Sequence, residues 1–186
     1  ARTLTHADVH FGGAAAATNR FRLDGINGPE GDESPPPSPE RIYAELVPFG
    51  PSYRNLETIT VMGPAGVRAR IAAPAIGGPF QLGSPFVLDA AFHAACVWGQ
   101  RNAAVVAFPV GFDQRRIWQP CQADVVYDVG IRVREKHPSL LVFDMAIEHQ
   151  GEPCETITGI RMRDVSGGRL KPPDWILASP GSGAGA

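Results

Sequence analysis

Asp89 and His93 stand four positions apart in an otherwise apolar, alanine-rich stretch, LDAAFHAACVWGQ at 88–100. On a helix, positions i and i+4 share one face, so the spacing sets a carboxylate beside an imidazole near the start of the segment. A carboxyl at the mouth of an apolar helix is partly desolvated, here with Leu88 and Phe92 as apolar neighbours. In that setting a carboxyl group can donate a proton near neutral pH. Two plainer readings stand beside this one: Asp89 as a first-turn acid suited to the helix dipole, and His93 as a core histidine satisfied by a neighbour. The remaining reactive side chains point less clearly to chemistry. Cys96 lies among alanines and reads as a small core residue rather than a nucleophile. Cys96, Cys121 and Cys154 are odd in number and widely spaced, which suits neither a disulfide framework nor a zinc site and fits a reduced, cytoplasmic setting.

The element that must position the Asp/His pair is a helix over 88–100, preceded by Pro85, with Asp89 expected in its first turn. Upstream, Ser38-Pro39-Glu40-Arg41 opens a short helix to Leu46, with Pro39 pre-set for a helix start. Strands are expected over 55–62 and 67–73, paired across Gly63-Pro64-Ala65-Gly66. Longer strands follow over 105–118, 123–134, 140–149 and 155–165. The segment 123–134 alternates strictly through Val125, Tyr127, Val129, Ile131 and Val133, and 155–165 alternates with one slip at Gly159, a candidate bulge. A turn at Gln150-Gly151-Glu152-Pro153 joins the last two strands. Arg115 and Arg116 beside Trp118 read as a solvated strand edge, and Arg161 and Arg163 as the outer sheet face. A helix that is alanine-rich nearly all round is one buried by sheet on several sides, so the expected fold is α+β, a hot-dog in which a curved antiparallel sheet wraps a central helix. Three regions separate by composition: 1–39, with a strand over 4–11 and a proline-rich linker; 40–170, the hot-dog domain; and 171–186, a tail ending in SPGSGAGA.

The chain has 186 residues, is 44% hydrophobic and carries a net charge of -2, enough for one buried core and without the basic balance of a nucleic-acid binder. No run approaches the roughly 18 apolar residues of a membrane span, and the N-terminal residues lack the layout of a signal peptide. Glycine-rich segments such as AIGGPF follow no strand-to-helix phosphate-loop pattern.

The segment SPFVLDAAFHA resembles the HPxxxDxxxQ/H motif of polyketide-synthase dehydratases, with Pro85, Asp89 and His93 in register and Ser84 where that family has its His. LVPFGPSYRNL resembles the family's GYxYGPxF motif through Phe49, Gly50, Pro51 and Tyr53, with Leu46 and Val47 replacing its leading Gly and Tyr. The order and spacing of the two motifs are those of the family, and the segments FPVGFDQRRIW and GIRMRDVSGGRLKPPDW look like the closing strands of dehydratase regions of polyunsaturated-fatty-acid synthases. Together the matches cover about 40–175. The resemblance implies the C-terminal hot-dog half of a double hot-dog dehydratase. Such an enzyme acts on 3-hydroxyacyl chains carried on the phosphopantetheine of an acyl carrier protein, with no other cofactor, and sits among the other domains of a megasynthase. It implies Asp89 as general acid, His93 as its orienting partner, and Phe49, Gly50, Pro51, Tyr53, Pro85, Leu88 and Phe92 along the substrate tunnel. The family's base, a His in HxxxGxxxxP, has no counterpart in the chain: His6, His10, His137 and His149 all lack that context. The chain then reads as half of a pseudodimer, or as a homodimer in which His6 or His10 serves across the interface. A non-catalytic acyl-binding or scaffolding domain, and a hot-dog thioesterase using Asp89, are the alternatives. In an active or scaffolding domain, Arg115 and Arg116 could touch the acidic carrier protein or its phosphate.

Overall fold

The computed structural model describes residues 35–76, 80 and 82–177. The strand expected over 4–11, most of the proline-rich linker, His6, His10 and the last nine residues lie outside them.

Ser38 caps the first helical turn, its hydroxyl accepting the Arg41 N–H at 3.4 Å, and Pro39 takes the N1 position that its fixed φ favours. Helix α1 (Pro39–Arg41) widens into a π-turn over Ile42–Leu46, which buries Ile42, Tyr43 and Leu46. A 3-10 turn, Pro51–Tyr53, leads into strands β1 (Leu56–Gly63) and β2 (Gly66–Ala72). Helix α2 (Pro85–Ala103) follows, then β3 (Phe108–Gly111), β4 (Gln114–Ile117), β5 (Val126–His137), β6 (Leu140–His149) and β7 (Glu152–Arg163). All seven strands form one antiparallel sheet in the order β1-β2-β5-β6-β7-β3, with β4 also paired to β7.

Helix α2 lies across β1, β2 and β5. Its small residues allow this close approach: Ala90, Ala91, Ala94 and Ala95 are all buried, as is Val97. Trp98 seats the far end, donating Nε1–H to the Gly63 carbonyl at 2.7 Å and meeting Phe143 edge-on at 5.4 Å. On β5 the alternation holds, with Tyr127, Val129 and Ile131 turned into the core and Val126, Asp128 and Arg132 exposed. The β6–β7 hairpin is tighter than expected. Only Gln150 and Gly151 turn, both with positive φ (53° and 80°), and β7 starts at Glu152. That pair of left-handed residues matches the twist of the flanking strands.

The single strand expected over 105–118 is two strands, β3 and β4, broken at Phe112 and Asp113. The cause sits on the facing strand. At Gly159 (φ 63°) β7 bulges, its N–H donating to the Asp144 carboxylate at 3.0 Å. Asp113 covers the space where a Cβ on Gly159 would stand, and it pairs with Arg161. A bulge in β7 obliges its partner to break pairing over the same stretch. Arg161, expected as a plain outer-face residue, therefore staples the break. At the C-terminus, residues 171–177, grouped by composition with the tail, are docked. Ile176 is buried, and Trp175 donates Nε1–H to Glu45 at 2.5 Å beneath the Arg41 guanidinium. Among the described residues no helix is long and apolar enough to cross a membrane.

Candidate active site

Helix α2 begins at Pro85, three residues earlier than the alanine-rich pattern suggests, because Ser84 serves as its N-cap residue and Pro85 as N1. The start is pinned by the Ser84 N–H donating to the Cys121 carbonyl at 2.7 Å. No acid stands in the first turn. Asp89 lies one residue beyond it, so the expected first-turn dipole role does not apply. What Asp89 meets instead is His93: Oδ2 lies 3.0 Å from Nε2. The two atoms are close but not aligned as a hydrogen bond, and both are buried without another hydrogen-bond partner. A buried polar atom left in this condition is costly in a purely structural pair.

His93 is 3% exposed. Phe49 stacks on it at 4.7 Å and Tyr43 meets it edge-on. Tyr43 also bears on which tautomer the neutral ring adopts. The Leu56 N–H, an obligate donor, gives its hydrogen to Tyr43 Oη at 2.9 Å, which leaves the phenol proton to be donated to His93 Nδ1 at 3.3 Å. Nδ1 then accepts, and in the neutral ring the hydrogen sits on Nε2, facing Asp89. Burial raises the Tyr43 phenol above its ordinary range, so it stays protonated. The donors thus run in one direction, from the β1 backbone through Tyr43 to His93, whose Nε2 faces the carboxylate.

About a third of the Asp89 side chain remains exposed, and it opens onto a cleft of about 660 Å³ lined by Tyr53, Phe80, Leu82, Gly83, Pro85, Leu88, Phe92 and Arg115. Of the residues singled out from sequence, Tyr53, Pro85, Leu88, Phe92 and Asp89 line this cleft. Phe49 covers His93 and leans toward Tyr53 at 6.2 Å. Gly50 and Pro51 shape the turn before Tyr53 and do not line the cleft. Phe49, Tyr53, Phe80 and Leu82 keep their apolar side chains exposed around its mouth.

Arg115 is not a solvated strand edge. Its Nε and Nη2 grip Glu155 Oε2 at 2.8 and 2.7 Å, and Nη2 also donates to the Leu82 carbonyl at 2.9 Å. Glu155 is 1% exposed, and burial pushes its carboxyl up against the opposing pull of Arg115. Arg116, half-buried, lies over the Trp118 ring. Tyr43 and Glu155 were missed in the sequence, and Arg115 was singled out without its partner, because the three sit on separate elements with no shared spacing. Cys96 is a core residue whose thiol burial pushes up to about 11, and Gln100 donates to it at 3.6 Å.

The match to known proteins comes through both family and fold. The family model described as the polyketide synthase dehydratase N-terminal domain matches residues 33–172. The match does not carry the assignment to the C-terminal half that the motif register implied. No curated protein matches the chain. Among solved structures, the dehydratase domain of PpsC from Mycobacterium tuberculosis, in complex with C12:1-CoA, aligns with a TM-score of 0.56 at 18% identity, covering 69% of this chain and 52% of that one. The dehydratase domain from the CurJ module of the curacin polyketide synthase aligns at 0.55 and 18%, covering 69% and 49%. The dehydratase heterocomplex ApeI:P from Xenorhabdus doucetiae aligns at 0.52 and 14%, but there the alignment covers 70% of this chain and 91% of the other. The chain thus spans about half the length of the synthase dehydratase domains and nearly the whole of a shorter one, each sharing its hot-dog fold. With the family match covering more than half its length, the chain belongs to the polyketide synthase dehydratase family.

Proposed function

We propose that this chain supplies the acid-bearing half of a dehydratase site that acts on 3-hydroxyacyl thioesters presented by an acyl carrier protein. The observation that carries the reading is the Asp89–His93 pair, held by Tyr43 and opening onto an apolar cleft of acyl-chain size. In this reading a base removes the proton from C2 and Asp89 protonates the C3 hydroxyl. The C–O bond breaks, water leaves, and the C2–C3 double bond forms. His93, positioned through Nδ1, presents Nε2–H to the carboxylate and restrains the side chain between proton transfers.

The base is supplied from outside the described residues. His137 and His149 are the other described histidines, and they bond to Glu135 and to the Val126 carbonyl on the sheet. A second hot-dog unit, another copy of the chain or another domain of the same synthase, would bring it and cover the apolar rim of Phe49, Tyr53, Phe80 and Leu82. The half-length match to the synthase dehydratase domains supports this arrangement. One observation favours a second reading, a non-catalytic acyl-binding domain: Ser84 stands where the family motif has its His, and its buried hydroxyl has no hydrogen-bond partner.

The deciding experiment follows hydration of an enoyl-pantetheine thioester and the reverse dehydration, with wild-type chain against Asp89→Asn and His93→Ala. Turnover lost in Asp89→Asn supports the proposal. Thioester binding without turnover supports the second reading, and release of free acid without enoyl product points to a thioesterase.

A further inference from the structure

Arg115 brings into this cleft a feature that a hydrocarbon chain does not need. The walls are otherwise apolar apart from Asp89 and the Tyr53 hydroxyl, yet a guanidinium that is 16% exposed is set into them and fixed from behind by a fully buried carboxylate. Two of its three nitrogens are occupied, Nε by Glu155 and Nη2 by Glu155 and the Leu82 carbonyl; Nη1 has no acceptor among the described residues. Burying an ion pair beside an apolar site costs solvation that packed apolar side chains would not. Because β4 pairs with β7 through Arg115 opposite Ile157 and Ile117 opposite Glu155, the guanidinium and its carboxylate reach each other diagonally across the ladder, and the sheet sets their geometry.

We infer that Arg115 is a specificity-determining residue that donates from Nη1 to an oxygen atom on the acyl chain, so that the cleft selects an oxygenated chain, bearing a carbonyl or hydroxyl beyond C3, over a plain hydrocarbon one. This rests on the acyl-thioester reading above and sharpens it. Charge decides which kind of oxygen is suited. Glu155 already neutralises Arg115, so a phosphate or carboxylate would meet no net positive charge at this wall. A neutral carbonyl or hydroxyl needs only the free donor. A planar fork held on two sides loses little freedom when it donates a third bond.

The test is direct binding of two pantetheine thioesters of equal chain length, one saturated beyond C3 and one with a carbonyl at C5, measured calorimetrically on the chain and on two variants. Arg115→Lys keeps the charge and loses the fork. Arg115→Met combined with Glu155→Met removes the pair together, so that no buried carboxylate is left alone, and circular dichroism verifies its fold. The expected result is about tenfold tighter binding of the oxygenated thioester by wild type. That preference should shrink in Arg115→Lys and vanish in the double variant, while the saturated thioester still binds. Equal affinities in wild type, or a preference that survives in the double variant, overturn the inference and leave the acyl cleft standing. If 4′-phosphopantetheine outcompetes pantetheine in wild type and not in the double variant, Arg115 is a phosphate site and the inference fails. Failure of both thioesters to bind overturns the acyl-cleft reading itself, and this inference with it.

Discussion

The two ends of helix α2 are built from similar residues and do different work. From Ala94 onward the polar groups are answered: Trp98 donates to Gly63, Gln100 to the Leu46 carbonyl at 3.0 Å, and Asn102 to the Trp98 carbonyl. From Ser84 to His93, three buried polar atoms, Ser84 Oγ, Asp89 Oδ2 and His93 Nε2, have no aligned partner. A protein interior satisfies its polar groups wherever stability is the only requirement. On the proposed dehydratase reading, the contrast within one helix separates a structural segment from one whose hydrogen-bonding capacity is kept for a ligand.

The sharpest way to break that contrast is Asp89→Asn. Turnover should fall by about 10²- to 10⁴-fold, the usual contribution of a positioned general acid, while the melting temperature stays close to wild type. A variant that melted early and kept its turnover would reverse the roles of the two ends. The opposite outcome is expected of Trp98→Ala, which removes a buried indole and its hydrogen bond. It should cost about 3–5 kcal/mol in denaturant unfolding, whereas Phe92→Ala, at the partly open cleft, should cost far less. Comparable losses at the two sites would mean that both ends are core. Tyr43→Phe lies between these cases, because it strands the Leu56 N–H and His93 Nδ1 together. It should lower stability by about 1–3 kcal/mol and also displace the pH profile of turnover; a stability loss with an unchanged profile would reduce Tyr43 to packing.

A smaller effect concerns the cleft wall. Burial raises the Glu155 carboxyl in the folded state, so between its unfolded and folded values the folded chain binds more protons than the unfolded one. Stability from this group is then present below the ordinary carboxylate value of 4.5 and declines as pH rises through the folded value. Glu155→Gln should flatten that decline in unfolding curves taken between acid and neutral pH; an identical slope in the variant would mean that Arg115 cancels the burial effect. Smallest of all is thiol reactivity. Burial raises the Cys96, Cys121 and Cys154 thiols, so a thiol reagent at pH 8 should modify the native chain slowly and all three sites only after unfolding. Fast labelling of Cys96 would show that the closed end of α2 opens.

The sequence alone determined what depends on neighbouring residues. Alternation in 123–134, the proline start at Pro39, and the four-residue spacing of Asp89 and His93 are local patterns, and with the family motifs they sufficed for the hot-dog architecture. The bulge was visible as a slip at Gly159, but its consequence, the break between β3 and β4, was not, because the break is imposed by a strand some 45 residues away and by the side chain of Asp113. The start of α2 was misplaced for a similar reason: the apolar pattern begins at Leu88, while the turn that starts the helix is fixed by Ser84 pairing with Cys121. Tertiary structure alone brought Tyr43 to His93 across 50 positions and Arg115 to Glu155 across 40. Periodicity says which face of an element is buried, but which polar groups share a cleft depends on the order of strands in the sheet and on what the sheet wraps.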